Sequence, residues 1–209
     1  MGRTLMAVQA KEKEIELVVT WVCQWHCDYC CVDTHNRPLL TMDEVKAKLD
    51  KVIPGYNVTL SGGEVGTMKR ADIEFILDEL EKKDCRPSIN TNGLFIKRYR
   101  DLLPRFDTIL YHCSENLDLN EPIIIDPELN LQYLLIVTDN NYERLDAFLE
   151  AYPDIEFHLV AATNPEGINN VVLSGKLKHK MLAQHHARMT TDSKKRIFKE
   201  KDFDAIIYL

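Results

Sequence analysis

The residues best suited to chemistry are cysteines crowded into one short stretch of the chain: Cys23, Cys27, Cys30 and Cys31. The first three follow the spacing Cys-x3-Cys-x2-Cys, and short spacings of this kind are typical of disulfide-rich segments, zinc sites and iron–sulfur sites. Three thiolates are one fewer than the usual four ligands. Zinc would take its fourth ligand from His26 or His35, whereas a four-iron cluster would leave one iron open to a non-protein ligand.

The cellular compartment helps to separate these alternatives. The chain has 209 residues, its N-terminus contains no apolar signal core, and its longest apolar runs are too short to cross a bilayer. These features predict a cytoplasmic location without a membrane partner. Because the cytoplasm is reducing, clustered cysteines there are expected to be metal or redox ligands rather than disulfides.

The elements that must position these residues are strands and helices in alternation. Short apolar, β-branched runs predict six strands: Glu16–Trp21, Asn57–Leu60, Pro87–Asn90, Thr108–His112, Leu131–Thr138 and Ile155–Ala161. Helical spacing and a capping box predict helices: Thr41–Val52, Lys69–Lys83, Leu94–Leu103, Tyr142–Tyr152 and one or two within Leu173–Lys201. This alternation predicts an α/β fold with a parallel sheet, either a partial barrel or an open sheet.

The polar motifs of the chain follow the predicted strands. The cysteines follow the first strand, and four more motifs end later strands: Leu60–Gly66 (LSGGEVG), Asn90–Gly93 (NTNG), Tyr111–Asn116 (YHCSEN) and Ala161–Asn164 (AATN). Parallel strands end at one edge of a sheet, and ligands bind there. We therefore expect these motifs to form one site.

Three of these motifs resemble those of a known family. Cys23-Gln-Trp-His-Cys27-Asp-Tyr29-Cys30 resembles the Cys-x3-Cys-x-aromatic-Cys signature of the radical S-adenosylmethionine (SAM) superfamily. The SGGE segment resembles its methionine-binding motif, and the TNG segment resembles a turn that recurs after its third strand. The motifs cover roughly Glu16–Ser114, and the strand–helix rhythm extends the likeness to about Asn164. The resemblance implies a partial (β/α)6 barrel of parallel strands, of the radical SAM type, in its minimal form.

The resemblance also implies the cofactors. Cys23, Cys27 and Cys30 would hold a [4Fe–4S] cluster, and the amine and carboxylate of SAM would chelate the fourth iron. An external one-electron donor, similar to flavodoxin or ferredoxin, would reduce the cluster. SAM would then be cleaved to methionine and a 5′-deoxyadenosyl radical, which takes a hydrogen atom from the substrate.

Other residues would bind SAM if the resemblance holds. Glu64 would accept a hydrogen bond from the SAM ammonium group. Gly62 and Gly63 would let the backbone approach the methionine end, because a Cβ would obstruct that contact, and Tyr29 would pack near the adenine. Position alone suggests four further contacts: Asn92 and Ser114 for the ribose or carboxylate, and Val160 and Ala161 for the adenine.

The chain also departs from the family pattern. Val65 replaces the proline that is common after GGE, and the fifth strand has no glycine-rich SAM motif. The connection Ser114–Asn130 contains two prolines and no helical period, so we expect a long loop where the family has a helix. Cys31, Cys85 and Cys113 show no second cluster spacing and are expected to be small buried hydrophobes.

The C-terminal part differs from the rest in charge. The chain carries a net charge of −7, yet residues 176–201 contain nine Lys/Arg and two Asp/Glu. We expect residues 1–165 to form the partial-barrel core and residues 166–209 a basic helical segment that packs on the core or extends it. The basic stretch is either a solvated helix or a docking surface for nucleic acid or protein.

The sequence leaves three functions open. The first is radical chemistry on a small molecule, a nucleoside or a nucleobase, including a base within a nucleic acid. The second is activation or maturation of a protein or peptide, as in the glycyl-radical activases. The third is a non-catalytic iron–sulfur or zinc protein, although a purely structural metal site has no need of the GGE and TNG motifs.

Overall fold

A computed structural model describes residues 13–30, 37–162, 173–185, 188 and 207–208. In this part of the chain, seven strands form one sheet in the order β6-β5-β4-β3-β2-β1-β7, and every neighbouring pair is parallel. The strands are β1 (Glu14–Thr20), β2 (Asn57–Gly62), β3 (Arg86–Thr91), β4 (Thr108–His112), β5 (Leu131–Val137), β6 (Phe157–Ala161) and β7 (Ile207–Tyr208). The α/β fold class and the first six strands predicted from the sequence are confirmed.

Burial of apolar side chains explains these strands. Leu17, Leu60 and Ile89 are each fully buried in the middle of β1, β2 and β3. Helices that connect parallel strands cover the faces of a sheet, so the strands need apolar residues with little alternation. The helices are α1 (Met42–Asp50), α2 (Arg70–Lys82), α3 (Leu94–Arg98), α4 (Leu145–Ala151) and α5 (Gly175–His185).

Two helices begin or end at points that local chemistry explains. The Thr41 hydroxyl accepts a hydrogen bond from the Glu44 N–H, and the Glu44 carboxylate accepts one from the Thr41 N–H, so the predicted capping box opens α1. The helix predicted over Leu94–Leu103 is shorter than expected: α3 ends at Arg98, and a 3₁₀ helix spans Arg100–Arg105. Pro104 lacks an N–H and its ring would clash with the carbonyl four residues earlier, so an α-helix cannot continue there.

The connection between β4 and β5 contains no helix, as predicted. Leu117 and Ile123 are buried in this loop and join the core. The loop is also tethered: the Tyr111 hydroxyl accepts a hydrogen bond from the Ile124 N–H, and Arg100 forms an ion pair with Asp126. These contacts pack the loop against the fold.

The C-terminal region adds an element that the sequence analysis missed. The two residues of β7 pair with Ile15 and Glu16 of β1, and Leu173 and Met181 are buried in the core. Most of the basic stretch 176–201 lies outside the described residues, as do Cys31 and His35, and the domain boundary near residue 165 stays a prediction. None of the described helices is both long and apolar enough to cross a membrane.

Candidate functional site

The loops that follow β1 and β2 are bound to each other at the carboxyl edge of the sheet. The Gly63 N–H donates to the Thr20 carbonyl at 2.7 Å, and the Glu64 N–H donates to the Val22 carbonyl at 2.7 Å. These bonds continue the parallel ladder beyond the strands. They place the GGE turn directly against the start of the cysteine loop, so the predicted gathering of these two motifs is observed.

The two glycines permit this close approach. A Cβ on Gly63 would lie 2.2 Å from the Val22 carbonyl oxygen, and a Cβ on Gly62 would lie 2.2 Å from the Thr20 carbonyl oxygen. Gly62 also has a φ of +112°, which L side chains rarely adopt. The chain's own backbone therefore requires glycine at both positions, and their predicted contact with the methionine end of SAM stays a prediction.

Glu64 is the most constrained polar residue of the site. Its side chain is only 2% exposed. Oε1 accepts hydrogen bonds from the Gly66 N–H at 2.8 Å, the Thr91 hydroxyl at 2.9 Å and the Phe95 N–H at 3.2 Å. Oε2 accepts from the Asn92 N–H at 2.6 Å. The carboxylate thus joins the GGE turn to the TNG turn.

These contacts give Glu64 a role that the sequence did not indicate. A carboxylate has about four lone-pair sites, and four groups of the chain donate to it, three to Oε1 and one to Oε2, so little accepting capacity is left for a ligand. Burial raises the pKa of Glu64, while the bonds from Asn92, Gly66, Thr91 and Phe95 act in the opposite direction. The contact with the SAM ammonium stays a prediction, but in this structure the carboxylate faces the protein. Gly66 and Thr91 belong to this arrangement and were not singled out from the sequence.

Asn92 links the TNG turn to the cysteine loop. Its side-chain Nδ2 lies 3.7 Å from the Cys23 sulfur, and its Oδ1 accepts a hydrogen bond from the Gln24 Nε2 at 2.8 Å. Its own N–H is held by Glu64. The loops after β1, β2 and β3 therefore form one hydrogen-bonded unit, and this unit includes a predicted cluster ligand.

The three cysteines lie near one another and form no disulfide bond. Burial raises the pKa of Cys23 and, to about 12, that of Cys27, and the neighbouring thiols and Glu115 raise both further. A hydrogen bond from the Tyr29 hydroxyl opposes the shift of Cys27. Tyr29 is thus against a predicted ligand, and burial raises its own pKa far above the usual range.

The thiols of this loop are donors of the kind that an iron–sulfur cluster needs. Among the described residues, no three His, Cys, Asp or Glu side chains converge closely enough to hold one metal ion. A four-iron cluster bonds each thiolate to a different iron, so its cysteines surround it rather than meet at one point. Three neighbouring thiols beside a polar turn fit that demand, and they leave the fourth iron for another ligand.

A contact with the fifth strand was missed by the sequence analysis. Asn140, in the turn after β5, donates from Nδ2 to the Asp28 carboxylate of the cysteine loop at 2.9 Å. The turn is rigid because Asn141 Oδ1 accepts from the Thr138 N–H at 2.8 Å, and both residues are buried. The Asn141 N–H donates in return to the Thr138 hydroxyl, so a reciprocally hydrogen-bonded polar turn occupies the position where the family resemblance led us to look for glycines.

The remaining predicted residues lie on the far side of this edge. Ser114 is buried, and its hydroxyl accepts a hydrogen bond from the Asp118 N–H at 3.2 Å, so it shapes the β4–β5 loop. Val160 is half-buried and Ala161 is buried at the end of β6. Their predicted contacts with ribose, carboxylate and adenine stay predictions. Tyr111 is buried among aromatic side chains, 5.9 Å from the Tyr133 ring centre, so it is part of the core.

Solved structures show where else this fold occurs. No family model matches the chain, and no curated protein matches it. Native anSMEcpe with bound AdoMet (SAM) and the Cp18Cys peptide is similar at a TM-score of 0.61 and 16% identity, over 84% of this chain and 59% of that one. SuiB from Streptococcus suis is similar at a TM-score of 0.51 and 17% identity, over 86% of this chain and 48% of that one. The chain therefore shares its α/β fold with these two proteins, and it spans less than two thirds of each of them.

Proposed function

We propose that this chain is a radical SAM enzyme in which Cys23, Cys27 and Cys30 hold a [4Fe–4S] cluster and SAM binds its open iron. One observation carries the proposal: the cysteine loop, the GGE turn and the TNG turn are hydrogen-bonded to one another at the carboxyl edge of a parallel sheet. The similarity in fold to AdoMet-bound anSMEcpe supports it. When bound, the cluster supplies one electron from an external donor to the SAM sulfonium, whose bond to the 5′ carbon breaks to give methionine and a 5′-deoxyadenosyl radical.

The chain's own residues position the reactants and limit access of water. Gly62 and Gly63 bring the GGE backbone against the cysteine loop, and Glu64 fixes the TNG turn beside it. The hydroxyl of Tyr29 is near the Cys27 thiol, and its ring would pack near the adenine of SAM. Ser114, Val160 and Ala161 would line the side of SAM away from the cluster.

We further propose a peptide or protein as the substrate. The sequence analysis ranked a small molecule first, but a structure of similar fold contains a bound peptide, which makes the peptide alternative at least as consistent. Connections that follow β1 and β4 expose large apolar side chains that a bound peptide would contact if they lie together: Val22, Leu39, Leu119 and Ile125. A small-molecule or nucleobase substrate is the second candidate.

The first experiment tests the radical chemistry. The protein is reconstituted anaerobically with iron and sulfide, mixed with SAM and dithionite, and assayed for 5′-deoxyadenosine. We expect this product from the native chain and none from the Cys23→Ala, Cys27→Ala, Cys30→Ala triple variant. Stoichiometric zinc without a cluster would contradict the proposal and favour a metal-binding protein.

The second experiment tests the substrate class. Formation of 5′-deoxyadenosine is measured with a pool of synthetic peptides and, separately, with a mixture of nucleosides and nucleobases. Faster turnover with the peptides, with a change in peptide mass, supports our proposal. Acceleration by the nucleosides alone would contradict it and restore the small-molecule candidate.

A further inference from the structure

We infer that Asn92 is a positioning residue of the cluster: its side-chain amide donates a hydrogen bond to the sulfur of Cys23 and raises the reduction potential of the cluster. This inference rests on the proposed function, since it requires that Cys23 be a cluster ligand. It differs from the role that sequence position suggested for Asn92, a contact with the ribose or carboxylate of SAM. The nitrogen and the sulfur are 3.7 Å apart, which is within hydrogen-bonding distance for sulfur.

The orientation of the Asn92 amide follows from its other contacts. The Leu94 N–H lies 3.3 Å from one end of the amide and can only donate, so that end must be the oxygen. The Gln24 Nε2 donates to the same oxygen at 2.8 Å. The NH₂ end is therefore directed to the Cys23 sulfur. If the amide were flipped, its NH₂ group would face the N–H donors of Gln24 and Leu94.

The backbone of Asn92 is held as firmly as its side chain. Its N–H donates to Glu64 Oε2 at 2.6 Å, and the buried Thr91 hydroxyl bonds the same carboxylate. The Gly93 N–H donates to the Thr91 hydroxyl at 3.0 Å, which closes the turn. Because the turn is fixed through a buried carboxylate, the amide is preorganised to meet the sulfur.

A donor at this position has a defined electrostatic effect. Hydrogen bonds to ligand sulfurs are among the factors that set the potential of an iron–sulfur cluster. Reduction adds negative charge to the cluster and its thiolates, so a donor stabilises the reduced form more than the oxidised form. Loss of the Asn92 donor should shift the potential to more negative values.

The test is a redox titration of reconstituted protein, followed by the spectrum of the reduced cluster. Asn92→Asp keeps the oxygen that Gln24 and Leu94 bind but replaces the donor with an anion, so we expect the largest negative shift. Asn92→Ala removes the donor without adding charge and should give a smaller shift of the same sign. Gln24→Ala removes only one support of the amide and should give the smallest shift.

A matched control separates local from general effects of charge. Asn130→Asp adds the same charge next to the first residue of β5, at the opposite edge of the sheet, where the Asn130 side-chain amide donates to the Asp107 carbonyl. We expect the cluster in Asn130→Asp to have the same reduction potential as the cluster in the native chain. If the reduction potential of the cluster in Asn92→Ala is also unchanged, the inference is overturned. The cluster and the proposed function would then remain intact.

The amount of cluster that each variant takes up tests the inference independently of the reduction potential. A native chain that takes up no cluster would refute the proposed function itself, not the role of Asn92 alone. If Asn92→Asp fails to load but its cluster-free form melts at the native temperature, the defect lies at the sulfur and supports the inference. If the cluster-free form instead melts at a lower temperature and fails to load, Asn92 serves the fold and the inference is wrong.

Discussion

The two halves of the carboxyl edge are built by different means. In the half formed by β1, β2 and β3, neighbouring loops meet through backbone ladders, two obligatory glycines and a buried carboxylate. In the half formed by β4, β5 and β6, the loops rest on apolar anchors such as Leu117 and on an ion pair of Arg100. The first half depends on glycines and a buried carboxylate, whereas the second combines apolar contacts with the hydrogen-bonded turn of Thr138 and Asn141.

This difference fits separate functions for the two halves of the edge. In the proposed chemistry a cluster and SAM are the same in every reaction, so the residues that would hold them need a fixed geometry. A substrate differs between enzymes, and loops held by generic contacts can vary without loss of the fold. We expect the first half to determine cofactor binding and the second to determine substrate choice.

The largest effect is expected from Glu64→Gln in the first half. Even with its NH₂ group at the Oε2 position, glutamine would set that group against the Asn92 N–H, so at least two buried donors, the Asn92 N–H and the new NH₂, would lack a partner. Each such loss costs about 1–3 kcal/mol, so we expect a loss of about 4 kcal/mol in the free energy of unfolding. Chemical denaturation of the cluster-free protein measures it.

A control variant makes this result specific. Glu128→Gln changes a side chain that is 86% exposed, and its stability should remain native. Native stability of Glu64→Gln, combined with weaker SAM binding, would contradict the structural role and support the contact predicted from the sequence.

A slightly smaller effect is expected from Gly63→Ala. The new Cβ would lie 2.2 Å from the Val22 carbonyl oxygen and 2.7 Å from the Val22 carbonyl carbon. Backbone atoms cannot rotate away, so we expect the variant to lose about 3 kcal/mol and the cysteine loop to shift. Denaturation and the amount of iron bound after reconstitution measure both effects.

Gly55→Ala serves as the comparison for backbone strain without a clash. Gly55 has a φ of +77°, but nothing lies within 4 Å of its Cβ position. It should lose only about 1–2 kcal/mol and bind iron normally. Equal iron binding by the two variants would show that close packing at Gly63 does not hold the cysteine loop.

In the second half, Arg100→Ala should have a moderate effect. Asp126 is 8% exposed and would lose its ion-pair partner, but the Arg100 side chain is 57% exposed, so solvent weakens the pair. We expect a loss of about 1 kcal/mol in stability and faster proteolysis within residues 114–130. Arg70→Ala, which breaks a pair exposed on both sides, should change neither quantity.

The smallest effect concerns His112 and acid. Burial lowers the pKa of His112 to about 4, against about 6.5 in an unfolded chain. Between these values the unfolded state binds more protons, so the contribution of neutral His112 is lost as the pH falls from about 6.5 to about 4. Because the His112 side chain keeps some contact with solvent, we expect this loss of stability in the native chain to be about 1 kcal/mol. His112→Gln has no titrating group at this position and should not show the loss. Denaturation of both proteins across this pH range measures it, and parallel curves would contradict the assignment.

Much of the fold followed from the sequence because its signals are local. The predicted ends of β4 match the structure, and those of the other strands differ by at most two residues. The exceptions have physical causes. The helix predicted over Leu94–Leu103 is divided at Tyr99, whose backbone is not helical, and Pro104 keeps an α-helix from resuming after it; β7 is too short to show a periodic pattern.

The site was predicted as a set of motifs but not as a set of contacts. The sequence shows that Glu64 follows two glycines, yet it does not show that its carboxylate meets N–H groups 28 and 31 residues further along the chain. In the same way, Asn140 reaches Asp28 across 112 residues. Contacts of this kind depend on the register of neighbouring strands, which composition and spacing do not specify.

The most direct test of the central claim is the electron paramagnetic resonance spectrum of the reconstituted, reduced protein with and without SAM. We predict the signal of a reduced [4Fe–4S] cluster that changes shape when SAM binds the open iron, and loss of the signal when Cys23, Cys27 and Cys30 are replaced. A cluster signal that SAM leaves unchanged, or full signal in the triple variant, would contradict the account.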